Sequence, residues 1–451
     1  MDSAMKHCLT SLFMSDVETI SSIGFLCCCA TGVAIILDFA YKYIRASTDE
    51  FLSPIVFIEL VLLYYTVISP LILISNSDTY YGYKDMSPYI SLSWCGCFVF
   101  YVSLMLGYKV ALFPYFSVAF AKDTQDKVNL KNVFNIGAIL VLLGLFLYMI
   151  NGGYSLKQLF IGGVSESVEL TSSFLSGYGK QMINFCIPGC CLMLIAYLQE
   201  KHSIYNRVLL VAAVTLSLSS FMIAGFRYRI IYLLMAFFTI YYIQKQKKPN
   251  LALWGLLFVI LVLFMGVIGA TRNYHKGLDS SQLQNQTISE LMQKGMNDTR
   301  IFYATGALMN DVSSNSNFVY FTPIYTAVCM PIPRSIFRDK PDATYLVDMN
   351  VRIWGTAKYG IAFMCYGEAF YAFGWAGIIL CGLLLGIFSR YVYSLYHTND
   401  KSVSALLFLS TYNGFMYVVL TRGYFAQQVT IFFLIIVIPM LLYKGLMRLR
   451  I

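Results

Sequence analysis

Apolar runs of bilayer-crossing length, set apart by short polar stretches, recur along the chain. They lie at 20–41, 52–75, 88–108, 133–150, 181–199, 208–225, 230–243, 251–270, 370–394, 403–421 and 427–446, eleven in all. A helix of about 20 residues covers the ~30 Å hydrocarbon core of a membrane. The 230–243 run is short and must draw on flanking residues, and KVALFPYFSVAF (109–120) blurs one boundary, so the count is ten to twelve. The pattern predicts an all-α polytopic membrane bundle. No stretch reads as a detachable soluble domain, so residues 1–451 are expected to form a single integral membrane domain. Asp2, Lys6, Asp16 and Glu18 flank the first apolar run, which reads as an anchor rather than a cleavable leader.

One polar interval, about 271–369, is far too long for a simple connection; loops beyond roughly 12–15 residues fold, bind or stay disordered. This one carries signs of folding. Thr287-Ile-Ser-Glu290 fits a capping box, and ELMQKGMNDTRIFYATGALM behind it has helical periodicity. FVYFTPIYTAVCMPIP (318–333) is apolar but short and broken by proline, as in a re-entrant or interfacial segment. A second loop, about 151–179, opens on NGGYSLKQLFIGG, and no internal repeat of the inverted-transporter kind is evident.

Composition sharpens this reading. The chain is 58% hydrophobic and 12% charged, against roughly 25% charged in soluble proteins. The net charge of +9 is scattered through short loops, which argues against a nucleic-acid partner. The 12 cysteines fall mostly in apolar runs and are expected to be small buried hydrophobes. Cys95-Gly-Cys97 is too close-set for the usual zinc spacing and has no accompanying His, so no metal is expected.

Lysine and arginine in the short loops set orientation. KYIR (42–45), AKDTQDKVNLK (121–131), EKHSIYNR (200–207), QKQKK (244–248), HTNDK (397–401) and KGLMRLR (444–450) mark one side as cytoplasmic. The C-terminus is then inside and, with eleven spans, the N-terminus outside. The outer side collects Arg227, Arg229, Arg272, Arg300, Arg334, Arg338, Arg352 and Arg422. Arginine presents a planar fork that grips phosphate or carboxylate through two hydrogen bonds at once.

Four groups could carry chemistry. In AGFRYR (224–229), Arg227 and Arg229 stand at a turn between two spans, where both guanidinium groups could point into one cavity; the bland alternative is snorkelling. In GATRNYHKG (269–277), Arg272 lies at the membrane surface, and His275 is either a general base or a solvated loop residue. MPIPRSIFRDKP (330–341) holds Arg334, Arg338 and Lys340 with Asp339 among stiffening prolines. Arg334 and Arg338 are four apart and would share a face if a short helix forms; otherwise the stretch is a solvated loop. In YGEAFYAFGWAG (366–377), Glu368 is either a partner for an arginine or a general base, while Gly367, Gly374 and Gly377 permit close packing. Arg300 and Arg422 complete the outer cationic set. No P-loop, nucleophile elbow or metal cluster is present. Intramembrane acids reduce mainly to Asp38 and Glu59, which weakens a proton-coupled carrier reading.

The order of a span ending in GFRYR, a span followed by TRN and a long outer loop, then P-x-P-R-S-x-F-x-x-K-P, then GEAFYAFGWAG resembles the oligosaccharide repeat-unit polymerases, the O-antigen polymerase family of bacterial inner membranes. The resemblance rests mainly on 215–395. It implies undecaprenyl-diphosphate-linked oligosaccharides as substrates, membrane lipid as surroundings, an active site on the periplasmic face and no cofactor. Arg227, Arg229, Arg272, Arg300, Arg334, Arg338, Lys340 and Arg422 would then hold the diphosphate, with Glu368 or His275 as base. A chain-length regulator protein is an expected partner by family analogy alone. Two rivals stand beside this reading: a ligase-like transferase that attaches glycan to lipid A core, and a flippase of lipid-linked oligosaccharide. The flippase would need bases within the spans, whereas here they sit at span ends.

Overall fold

The computed structural model describes residues 17–110, 129–152, 179, 181–199, 204–223, 227–273, 277–278, 286–330, 332, 336–341, 344–355, 362–398 and 401–448. Helices account for nearly all of them. Helix α1 is Val17–Arg45, α2 Thr48–Ser75, α3 Ser87–Lys109, α4 Leu130–Gly152, α5 Met182–Gln199, α6 Ile204–Ile223, α7 Arg227–Lys245 and α8 Leu251–Thr271. The long loop adds α9 (Ile288–Met296), α10 (Ile301–Asn315), α11 (Thr322–Cys329) and α12 (Thr344–Trp354). Helices α13 (Cys365–Thr398), α14 (Val403–Thr421) and α15 (Phe425–Arg448) close the bundle. Two small antiparallel hairpins, Tyr80–Tyr81 with Lys84–Asp85 and Arg272–Asn273 with Gly277–Leu278, are the strands among the described residues.

Ten of these helices are long and apolar enough to cross a membrane, as the all-α bundle expectation requires. The eleventh expected span, 230–243, is α7, a 19-residue helix that falls outside that set. Arg227, Arg229 and Lys245 fall inside it and lower its apolarity, and its buried face packs against α14 and α5.

Interior α14 is buried along almost its whole length and touches α2, α5, α7, α13 and α15. Polar groups pin it: Asn413 Nδ2 donates to Leu52 O (3.0 Å) and Thr239 Oγ1 (3.1 Å), and Ser389 pairs with Tyr412 across to α13 at 3.0 Å. Within lipid, tight helix contact depends on small residues at the interface. Gly107 and Gly386 meet this need between α3 and α13, where a Cβ on either would overlap the carbonyl of Leu383 or Leu104. The outer faces of α1 and α8, with Leu26, Leu37, Leu253 and Leu256, are exposed, as lipid-facing surfaces are.

The intramembrane acids are paired locally. Lys42 of α1 bonds Asp38 one turn back and Glu59 of α2 at 3.5 Å, and Tyr101 of α3 donates to Glu59 at 3.0 Å. At that end the short loops interlock: Lys401 bonds Asp49 (2.5 Å), Gln246 Nε2 donates to Asp49 (3.2 Å) and Lys248 Nζ to Tyr43 O (2.6 Å). The long loop gathers at the opposite end. Most described cysteines are buried; Cys29 is exposed, and none is in a disulfide.

Candidate functional site

After α8 the chain turns back on it. The expected capping box forms, with Thr287 N donating to Glu290 Oε2 (3.1 Å) and Glu290 N to Thr287 Oγ1 (3.3 Å), and starts α9. Helix α9 then runs antiparallel to α8 in backbone contact: a Cβ on Gly266 would overlap the Leu291 carbonyl, and one on Gly295 the Val262 carbonyl. That descent delivers the turn Asn297–Arg300 to the outer part of α2. Thr299 Oγ1 and Ser69 Oγ share a 2.6 Å hydrogen bond, and the Arg300 guanidinium grips Asp78 Oδ2 and the Tyr80 carbonyl. The turn is thus fixed after Asp298 by Thr299 and Arg300, and before it by the Gly295–Val262 contact.

Arg227 contacts Asp298, and Arg422 feels its charge at longer range. Arg227, first residue of α7, sets Nη1 3.5 Å from Asp298 Oδ1 and lies against Gly269 of α8. That Nη1 is buried and has no hydrogen-bond partner, so the pair is a charge contact only. Arg422 follows the last turn of α14, where a cation complements the helix dipole. Burial works against its charge, and the neighbouring Asp298, Tyr417, Tyr65 and Tyr228 hold its pKa above the ordinary arginine value. Tyr417 is also within electrostatic reach of Arg227. Beneath them Tyr65 and Tyr417 share a 2.7 Å hydrogen bond that ties α2 to α14. Tyr65 lies in a π-helical turn, Leu63–Ile68, a distortion often found at functional sites. The ends of α7, α8 and α14 and the turn after α9 therefore bring two positive charges against one negative.

Glu368 is buried, and both its oxygens are taken. Oε1 accepts from Tyr345 Oη (2.5 Å) and Oε2 from the Phe425 backbone N–H (2.8 Å). Burial and the Glu368 charge push the Tyr345 hydroxyl well above its ordinary pKa, which keeps it a donor. Glu368 thereby joins loop helix α12 to the first residue of α15. It stands on a short turn ahead of a break at Phe373 and Gly374, where Gly374 has φ +63°. The carbonyls of Tyr371 and Ala372 freed by the break accept from Val319 N (3.0 Å) and Tyr320 N (3.1 Å).

The other expected site residues fall as follows. Arg227 and Arg229 do not share a cavity. Both lie within α7 rather than at a turn, and residues two apart on a helix diverge. Arg229 is fully buried and donates from Nε to Asn184 Oδ1 (2.9 Å) and from Nη2 to Gln181 Oε1 (3.3 Å). Arg300 is engaged with Asp78 and Tyr80. Arg352 bonds Asp311 (3.1 Å) and Tyr371 Oη (2.9 Å). Lys340 Nζ donates to the carbonyls of Met330 (2.6 Å) and Ile332 (3.0 Å), closing the 330–341 loop on itself. Arg338 is exposed, and residues 336–341 form turns and not the helix that would align it with Arg334. Arg334 and His275 lie outside the described residues. Arg272 follows directly on α8, with its backbone paired to Leu278. Asp298 was not anticipated; its signal in MNDTR is an acid between the end of an amphipathic helix and an arginine.

No curated protein and no solved structure matches the chain. The family model for O-antigen polysaccharide polymerase Wzy spans residues 8–448, nearly its whole length and well beyond the 215–395 that carried the sequence resemblance, and the protein belongs to that family.

Proposed function

We propose that the protein joins oligosaccharide repeat units carried on undecaprenyl diphosphate into a surface polysaccharide, at the outer face of the inner membrane. The observation that carries this reading is Arg227 against Asp298, with Arg422 within electrostatic reach of the same carboxylate, in a member of the polymerase family. In the proposed reaction, the bond from the donor's reducing-end sugar carbon to the diphosphate oxygen breaks. The electron pair leaves with the lipid diphosphate. An acceptor sugar hydroxyl oxygen bonds to that carbon and gives up its proton to a base. Arg227 and Arg422, and with them Arg272 as the sequence suggests, stabilise charge on the leaving diphosphate, the kind of electrostatic catalysis that fixed cations provide.

Glu368 fits a positioning role better than a base, because both oxygens already accept hydrogen bonds within the fold. His275 remains the proposed base. Arg300, Arg352 and Lys340 fit structural roles, since each binds acceptors within the chain.

The test is the banding of surface polysaccharide from a strain lacking this gene and complemented with variants. Arg227→Ala and Arg422→Ala should give a single-repeat band in place of a ladder while the protein still inserts. Each lost charged hydrogen bond is worth about 1.5–3 kcal/mol, roughly one to two decades in rate if felt only in the transition state. A full ladder from both variants would overturn the site. Loss of every band on lipid A core would point to the ligase or flippase, and long chains accumulating on the carrier lipid would single out the ligase.

A further inference from the structure

Asp298 is a carboxylate in the place where the proposed reading puts a phosphate. Its side chain keeps 34% of its surface exposed, against 13% for Arg227. Its contact with Arg227 is 3.5 Å, too long for a charged hydrogen bond, and the facing Nη1 is buried without a hydrogen-bond partner. Among the described residues no hydrogen bond holds the Asp298 carboxylate, yet the backbone that carries it is held by the Gly295–Val262 contact before it and by Thr299–Ser69 and Arg300–Asp78 after it. A fixed backbone bearing a loosely held carboxylate suits a side chain that swings away while its helices stay in place. A buried guanidinium edge with charge neutralised but hydrogen bonds unmade is costly to leave so. It gains when an oxyanion arrives with acceptors in reach.

We infer that Asp298 is an internal counter-ion: it occupies the anion seat at Arg227, within the field of Arg422, when no diphosphate is bound, and yields that seat when one arrives. The inference rests on the proposed reading of these arginines as a diphosphate site. It assigns Asp298 the tuning of affinity. The carboxylate keeps two like charges together in the empty site and weakens binding of other anions, because each must displace it. A diester diphosphate, with two negative charges, replaces one carboxylate charge and offers more acceptor atoms.

The experiment is calorimetric titration of inorganic pyrophosphate into the full-length protein in detergent, with two changes of opposite effect. Asp298→Asn removes the competing charge and should tighten pyrophosphate about two- to fivefold, the size of a partly exposed ion pair. Asp298→Glu extends the carboxylate far enough to hydrogen-bond Arg227 and should weaken pyrophosphate by a similar factor. Unchanged or weaker binding in Asp298→Asn, or unchanged or tighter binding in Asp298→Glu, overturns the counter-ion. If Asp298→Asn fails to fold, the Glu variant decides alone. Arg227→Ala and Arg422→Ala separate the two failures: if neither weakens pyrophosphate binding to the parent protein, the diphosphate reading falls; if they do but the Asp298 variants move the wrong way, only the counter-ion falls.

Discussion

Single side chains divide into those that hold the site and those proposed to touch substrate, and Glu368 tests the division. Its two acceptor oxygens serve Tyr345 Oη and Phe425 N–H. A glutamine keeps one acceptor and sets an NH2 donor against the other partner, so Glu368→Gln should lower the thermal midpoint in detergent and retain activity within about tenfold, because the bonds it loses hold the fold and not the reacting atoms. A general base would give the reverse: an unchanged midpoint and a loss of about two to four decades. Arg227→Lys should recover little of what Arg227→Ala loses, since an ammonium cannot make the fork's paired bonds; near-full polymerisation by the lysine variant would refute a bidentate site. The sequence made the outer arginines visible as a set but not which of them meet. Spacing alone puts Arg227 and Arg229 together. Helix geometry sends one to Asp298 and the other to Asn184 and Gln181, across 71 and 45 residues of chain. Such separations lie beyond any local pattern.

Helices carry a different share of the information. The span runs, the capping box at Thr287 and the helical character behind it were legible because each is a short-range signal. The descent of α9 along α8 was not, since it depends on Gly266 and Gly295 meeting carbonyls on the partner helix. This packing sets the depth of Asp298. Gly295→Leu should therefore displace the turn that carries Asp298, reduce polymerisation and lower the thermal midpoint. Gly255→Ala on the same α8, where an added Cβ meets nothing within 4 Å, should do neither. Equal behaviour of the two would mean that the α8–α9 contact does not position the site. The break in α13 is a second case. Gly374 at φ +63° and ψ −145° sits where a side chain is strained, so Gly374→Ala should cost about 1–3 kcal/mol, read as a lower midpoint.

Taken as a whole, the molecule keeps its two ends chemically distinct. Asp49, Lys401, Gln246 and Lys248 knit one end together, while Asp298 of the long loop meets Arg227 at the other. By the positive-inside rule we propose that the first end is cytoplasmic, with an outer N-terminus and an inner C-terminus. The proposed reaction needs that orientation, because growing polysaccharide must emerge where the arginines sit. Single cysteines test it. Tyr83 is an exposed tip of the hairpin between α2 and α3, and Lys247 lies in the short connection between α7 and α8. In intact spheroplasts, Tyr83→Cys should gain labelling by a membrane-impermeant maleimide above the parent background, and Lys247→Cys should gain it only after permeabilisation. Arg45→Ala, exposed at the same end as Lys247, should leave the polysaccharide ladder near its normal length. The reverse labelling pattern would place Arg227, Asp298 and Arg422 on the cytoplasmic side. There a lipid-linked donor would have to be used before export, and the polymerisation proposed here would lose its site.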